Sequence, residues 1–187
     1  MKNPYLYGYL PLFTIVLFSM SFGIYMVDQS LQLFISIGVY SGMQEFLSEL
    51  EIRVFLLILF SLCFCMLFSA LKLIGETIHE VGMLFFSRDN NGHTISVARG
   101  GYVIFFFGSL LSFIGIQSFI LLMIVFAVTI FAYFIYTIYK MSQYMSTLGM
   151  IGLITFEIMF WAVFVTFILY ISLKLYNGIL ASLPFAN

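Results

Sequence analysis

GYVIFFFGSLLSFIGIQSFILLMIVFAVTIFAYFIYTIY, residues 101–139, holds no charge and only one strongly polar side chain, Gln117. A helix crosses the ~30 Å hydrocarbon layer of a bilayer with about 20 apolar residues, and no soluble core needs an uninterrupted run of this length. The stretch therefore reads as two membrane helices, 101–116 and 119–139, joined by a tight turn at Gly115-Ile116-Gln117-Ser118. Composition carries that reading to the whole chain. It is 63% hydrophobic and 8% charged, where an ordinary soluble domain carries about 25% charge. A net charge of −1 offers no basic field to a nucleic acid. The expected architecture is an all-α, polytopic transmembrane bundle forming a single domain over 1–187, with the lipid bilayer as its surroundings.

Three further spans lie outside that pair. The first is 10–27, where Pro11 falls in the first turn and its missing N–H costs little; Asp28 ends the apolar run. Its length and the lack of a small-residue cleavage site mark it as a retained helix rather than a signal peptide. The second is 53–86, apolar as far as Leu71 and continued from Lys72 by a more polar extension. At ~1.5 Å per residue this helix is roughly 50 Å long, so its last turns should project into, or lie along, the cytoplasmic interface. The third is 150–173, with Lys174 at the far interface. A sixth span within 31–47 is interrupted by Gln32, Gln44 and Glu45. The segment 29–52 instead reads as an amphipathic stretch on the outer surface, carrying Leu31, Phe34, Ile35, Ile37 and Tyr40.

Five spans and the distribution of positive charge give an N-in, C-out orientation. Lys2, Arg88, Arg99 and Lys140 then face the cytoplasm with Lys72 near that side. Arg53 and Lys174 face outward with Asp28, Glu45, Glu49 and Glu51. Tyr5, Tyr7 and Tyr9 at one boundary, and Tyr133, Tyr136 and Tyr139 at another, fit interfacial belts.

Few residues in these spans bear on chemistry. Glu157, seven residues into the last span, sits ~10 Å below its cytoplasmic end by helical rise, where an unpaired charge costs about 2.5–3.5 kcal/mol on insertion scales. Lys72, in the cytoplasmic half of a helix running the other way, is its expected partner. The pair reads as a packing contact, or alternatively as a proton or cation relay. Lys72, Glu76 and Glu80 share one helical face. His79 follows Glu76 at i+3, the Glu-x-x-His spacing of carboxylate-bridged metal sites. The remaining histidine, His93, falls in a loop, and Met83 stands where an H-E-x-x-H zinc site needs its second histidine. Glu76, His79 and Glu80 are therefore expected to form a solvated cytoplasmic stripe, with no metal and no cofactor. Cys63 and Cys65 read as small packing residues. Gly101, Gly108 and Gly115 recur every seven positions, with Ser112 on the same face, and Ser61, Cys65 and Ser69 recur every four. Such stripes let membrane helices approach closely. No nucleophile–base pair or phosphate-binding loop is present, so no enzyme is expected.

NPYLYGYLPL at the N-terminus, SGMQEFLSELEIR and MLFSALKLIGETIHEVGMLFFSRD resemble the YufK-like family of small membrane proteins from Bacillus-type bacteria. The resemblance runs over most of the chain and implies a bacterial plasma-membrane protein. It supplies no assigned activity and no active-site residues. The residues themselves favour a non-catalytic accessory protein that packs against a membrane partner, with 72–86 and the loop 87–99 as the contact surface. A small transporter or ion-conducting homo-oligomer using Glu157 and Lys72 is the alternative, weakened by the lack of repeated halves.

Overall fold

The structure, a computed structural model, describes residues 4–87 and 99–182, with side chains over 8–87 and 100–179. Lys2, Arg88, His93, the loop residues 88–98 and the side chain of Arg99, all invoked above, lie outside the described residues. Every described element is helical: α1 (Pro4–Ser36), α2 (Val39–Gln44), α3 (Glu49–Phe86), α4 (Tyr102–Ser112), α5 (Phe119–Met141) and α6 (Thr147–Ser182). Two 3₁₀ turns, Arg99–Gly101 and Phe113–Gly115, flank α4. The all-α membrane architecture is what the chain adopts. Gly8–Ser36, Glu49–Phe86, Phe119–Met141 and Thr147–Ile179 are each long and apolar enough to cross a bilayer. The expected span 101–116 is shorter than the rest. Its helix has 11 residues and one 3₁₀ turn, about 22 Å by rise, against a ~30 Å hydrocarbon layer.

Helix ends also differ from the expected ones, for local reasons. Pro11 lies inside α1 rather than in its first turn, so the helix forgoes one hydrogen bond there. Asp28 does not stop α1, because its carboxylate turns outward and meets Arg53 at 3.5 Å. The helix continues to Ser36. Gly38 then turns the chain with φ 76°, a left-handed conformation that glycine adopts without steric cost. The segment 29–52 is thus the end of α1, the short α2 and the start of α3. Ser48 and Glu51 form a reciprocal cap on α3: Ser48 N–H donates to Glu51 Oε2 at 2.8 Å, and Glu51 N–H donates to Ser48 Oγ at 3.4 Å. That cap starts α3 at Glu49, ahead of Arg53.

The chain forms two compact units, 1–75 with 89–144 and 76–88 with 145–187. In the first, α1 is the central helix. Phe18 and Phe22 pack on Phe68 of α3 and Leu122 of α5, with Phe126 edge-on to Phe18 at 5.3 Å and against Phe68 at 5.0 Å. Nearer the C-terminal end of α1, Val27 and Leu31 pack on Ile52 and Leu56. Small residues set the spacing. A Cβ on Gly23 would lie 2.5 Å from Ser61 Oγ, and one on Gly108 would run into the Thr129 side chain. Three hydroxyls of α1 are returned to the backbone: Thr14, Ser19 and Ser21 donate to the carbonyls of Leu10, Ile15 and Leu17. Ser21 and Ser112 also share a buried hydrogen bond of 2.7 Å between α1 and α4. Inside lipid such groups have no water to turn to, so self-satisfaction is favoured, although Ser61 Oγ and Thr137 Oγ1 meet no partner among the described residues.

In the second unit the end of α3 runs antiparallel to the start of α6. Gly82 meets Leu153 and Phe156, and Phe86 sits on Gly149 and Gly152. Leu153 is fully enclosed and Met83 nearly so. Gly108→Ala should lower the unfolding temperature in detergent, consistent with an overpacking cost of about 1–3 kcal/mol. Gly42→Ala, where a Cβ meets nothing within 4 Å, should leave it unchanged; equal melting of the two variants would contradict the close approach of α4 to α5.

Candidate functional site

Glu157 is the buried carboxylate of the described chain, with its side chain 9% exposed. About three turns of α6 carry it to this point from Thr147, and Leu153, one turn before it, is packed under Gly82 of α3. That packing brings His79, one turn earlier on α3, opposite Glu157. Its ring nitrogen Nδ1 lies 2.6 Å from Glu157 Oε1, with the His79 side chain 20% exposed. A carboxylate can only accept, so when Glu157 is ionised Nδ1 carries the hydrogen of this bond. The other ring nitrogen, Nε2, is enclosed and meets no hydrogen-bond partner among the described residues. Singly protonated, the ring leaves Nε2 as a bare acceptor; doubly protonated, it leaves an undirected N–H.

The cytoplasmic stripe expected from sequence is therefore divided. Glu80 is exposed, Glu76 is half-buried, and His79 turns inward to Glu157. Lys72 belongs to the other unit, where its ammonium lies 5.8 Å from the centre of the Tyr102 ring. His79 stands seven residues after Lys72, two turns along the same face and about 10 Å further by helical rise. No local sequence signal marks this level. It is set by where Gly82 and Phe86 lock onto α6.

The small residues singled out in the sequence lie at helix contacts of the first unit. A Cβ on Gly101 would lie 2.7 Å from the Tyr133 ring, which leaves no room for one; Gly108 faces Thr129, and Gly115 approaches the backbone of Leu122. Ser112 bonds Ser21. In the other stripe, Ser61 touches α1 at Gly23, while Ser69 is exposed. No group of three or more His, Cys, Asp or Glu side chains able to hold a metal occurs among the described residues. The chemical capacity of the site is thus narrow. It can tie α3 to α6 through a charge-assisted hydrogen bond, and it can carry a proton on the pair.

The chain belongs to the family of unknown function DUF5366, whose pattern matches residues 27–184. It is 44% identical over 184 residues to the uncharacterized membrane protein YufK of Bacillus subtilis (strain 168), a match that covers 98% of this chain and 100% of that protein. The likeness seen in the three quoted segments therefore extends over nearly the full length. No solved structure matches.

Removing one partner of a buried pair strands the other, at a cost of about 3–5 kcal/mol, whereas replacing both with apolar side chains is often close to neutral. His79→Leu should accordingly destabilise the protein strongly, and the double variant His79→Leu/Glu157→Leu should recover most of the loss. A denaturation series in detergent reads this directly. Additive losses in the double variant would show that the two side chains do not act as a pair.

Proposed function

We propose that this membrane protein of the DUF5366 family works without catalysis, as an accessory subunit in the bacterial plasma membrane that holds another membrane protein through the paired ends of α3 and α6. One observation carries the reading. On the outside of that helix pair, Leu84 is 79% exposed, Phe85 70% and Leu148 81%. The apolar run of α3 ends at Leu71, and Leu84 follows thirteen residues later, about 20 Å by helical rise. The run from Val54 to Leu71 already measures about 27 Å, close to a hydrocarbon thickness. Large apolar side chains so far along the helix lie past the lipid tails and need another cover. Large exposed apolar side chains outside the hydrocarbon are a mark of a protein contact. In the N-in, C-out orientation this surface faces the cytoplasm.

A second reading, a small transporter or ion-conducting oligomer, draws support from His79 Nε2. A buried ring nitrogen beside a buried carboxylate is a station where a proton can rest. It ranks second because one such station, with or without Lys72, makes a poor pathway.

Gentle extraction from the native membrane separates the two. The accessory reading expects a membrane protein at fixed stoichiometry with the wild-type chain, lost in Leu84→Ser/Phe85→Ser while the variant still accumulates and melts normally. Recovery of homo-oligomers alone would overturn it. Proton or cation flux in liposomes, abolished by Glu157→Gln without loss of protein, would then establish the transport reading.

A further inference from the structure

Two lysines of the first unit are laid on tyrosine rings. Lys72 Nζ stands 5.8 Å from the centre of Tyr102, and Lys140 Nζ stands 6.0 Å from that of Tyr136. The rings are themselves organised. Tyr102 and Tyr133 lie parallel, 2° apart, with centres at 6.4 Å, and Phe105 backs Tyr133 at 4.9 Å. The chain entering α4 is pressed onto the same group: a Cβ on Gly100 would lie 2.8 Å from the Tyr136 hydroxyl, and one on Gly101 would lie 2.7 Å from Tyr133. Lys72 on α3, Tyr102 on α4, and Tyr133, Tyr136 and Lys140 on α5 thus make one cationic–aromatic strip.

We propose that this strip binds the phosphodiester headgroup of an anionic phospholipid. Its depth is the first reason. Lys72 is the first charge after the apolar run of α3, and Lys140 the first charge after that of α5, so both mark the boundary where lipid phosphates lie. Its chemistry is the second. An ammonium carries a full positive charge with three donors, and a ring face at ~6 Å holds that charge in place. Tyrosine is the side chain suited to that level, with an apolar ring body and a polar tip. Basic pockets between membrane helices bind acidic headgroups by this combination. The third reason is rigidity: glycines pressed on two of the three rings limit their movement, so little ordering remains to be done on binding. Glu76 follows Lys72 one turn later on the same face and weakens the local field, which makes Lys140 a necessary contributor.

The test is lipid retention by the whole chain, read by native mass spectrometry from detergent with phosphatidylglycerol or phosphatidylcholine added at equal concentration. Wild type should retain phosphatidylglycerol preferentially. Each lysine contributes roughly a fivefold preference, so Lys72→Gln/Lys140→Gln should abolish most of it. Lys72→Arg/Lys140→Arg should keep it, as should Lys174→Gln on the exposed part of α6. The single variant Lys140→Gln, on a side chain at the end of its helix, serves if the double variant does not fold, and should show a severalfold loss. Equal retention of the two lipids by wild type, or an undiminished preference in the glutamine variants, would overturn the proposal. So would displacement of phosphatidylglycerol by millimolar inorganic phosphate, which would assign the strip to a soluble anion.

Discussion

A hydrocarbon layer of ~30 Å is the constraint on which the rest of this protein turns, because two of its helices are nearly twice that length. α3 has 38 residues and α6 has 36, roughly 57 and 54 Å at helical rise. Each must either tilt steeply or leave the lipid. Composition decides for α3: its apolar run fits the layer once, and Lys72, Glu76 and Glu80 then follow at helical spacing. The start of α6 is apolar for a different reason. Leu153 and Phe156 face Gly82, and Gly149 and Gly152 receive Phe86, so their apolarity serves a helix–helix contact. Hydropathy alone cannot tell these two uses of apolar side chains apart. That ambiguity is why Glu157 looks deeply immersed when depth is counted along α6, and less so when counted along α3.

The first unit answers a different problem. Lipid tails are as apolar as leucine, so exclusion from water does not drive these helices together. Contact must come from close packing and from polar groups that have nowhere else to turn. α1 meets both needs. It carries Gly23, which lets Ser61 of α3 approach within van der Waals reach, and Ser21, whose hydroxyl bonds both Leu17 O and Ser112 of α4. Phe18 and Phe22 then fill the space left between α3 and α5. A helix surrounded in this way by its neighbours is the one least exposed to lipid: 39% of its apolar window is buried, against 11% for α3, α5 and α6.

Element type was legible in the sequence, since uninterrupted apolar runs in a chain this poor in charge leave no other fold. The turn between α4 and α5 was legible too, from Gly115 and Ser118. Several boundaries were not, and each depends on a residue distant in sequence. Asp28 looks like a helix stop until Arg53 is placed beside it at 3.5 Å. The start of α3 rests on the Ser48–Glu51 cap, a short-range signal that the charge of Arg53 obscured. The shortness of α4 was hidden by hydropathy, which continues evenly through Gly101 and Gly115 while the backbone tightens into 3₁₀ turns at both ends. For Glu157, the sequence pointed to Lys72 as partner, whereas the residue at hydrogen-bond distance is His79, two turns further along α3. The level along α3 at which His79 meets it depends on how Gly82 and Phe86 seat against α6.

A buried ion-type pair is weak evidence for stability, because desolvation offsets most of the attraction. Its more defensible role is to select one register from several. The surfaces of α3 and α6 that meet here consist of glycines, leucine, methionine and phenylalanine, and such surfaces would tolerate a slip of one turn at modest cost. A slip of that kind would carry His79 about 5 Å from Glu157 and leave an unpartnered carboxylate at 9% exposure. The penalty for a stranded buried charge is large, so the pair excludes registers that packing alone would admit. Register in turn fixes which side chains of the two helices point outward. Where Leu148 stands relative to Leu84 and Phe85 is set only while Gly82 remains under Leu153. The His79–Glu157 bond therefore constrains the presented surface even though neither residue need touch what binds there.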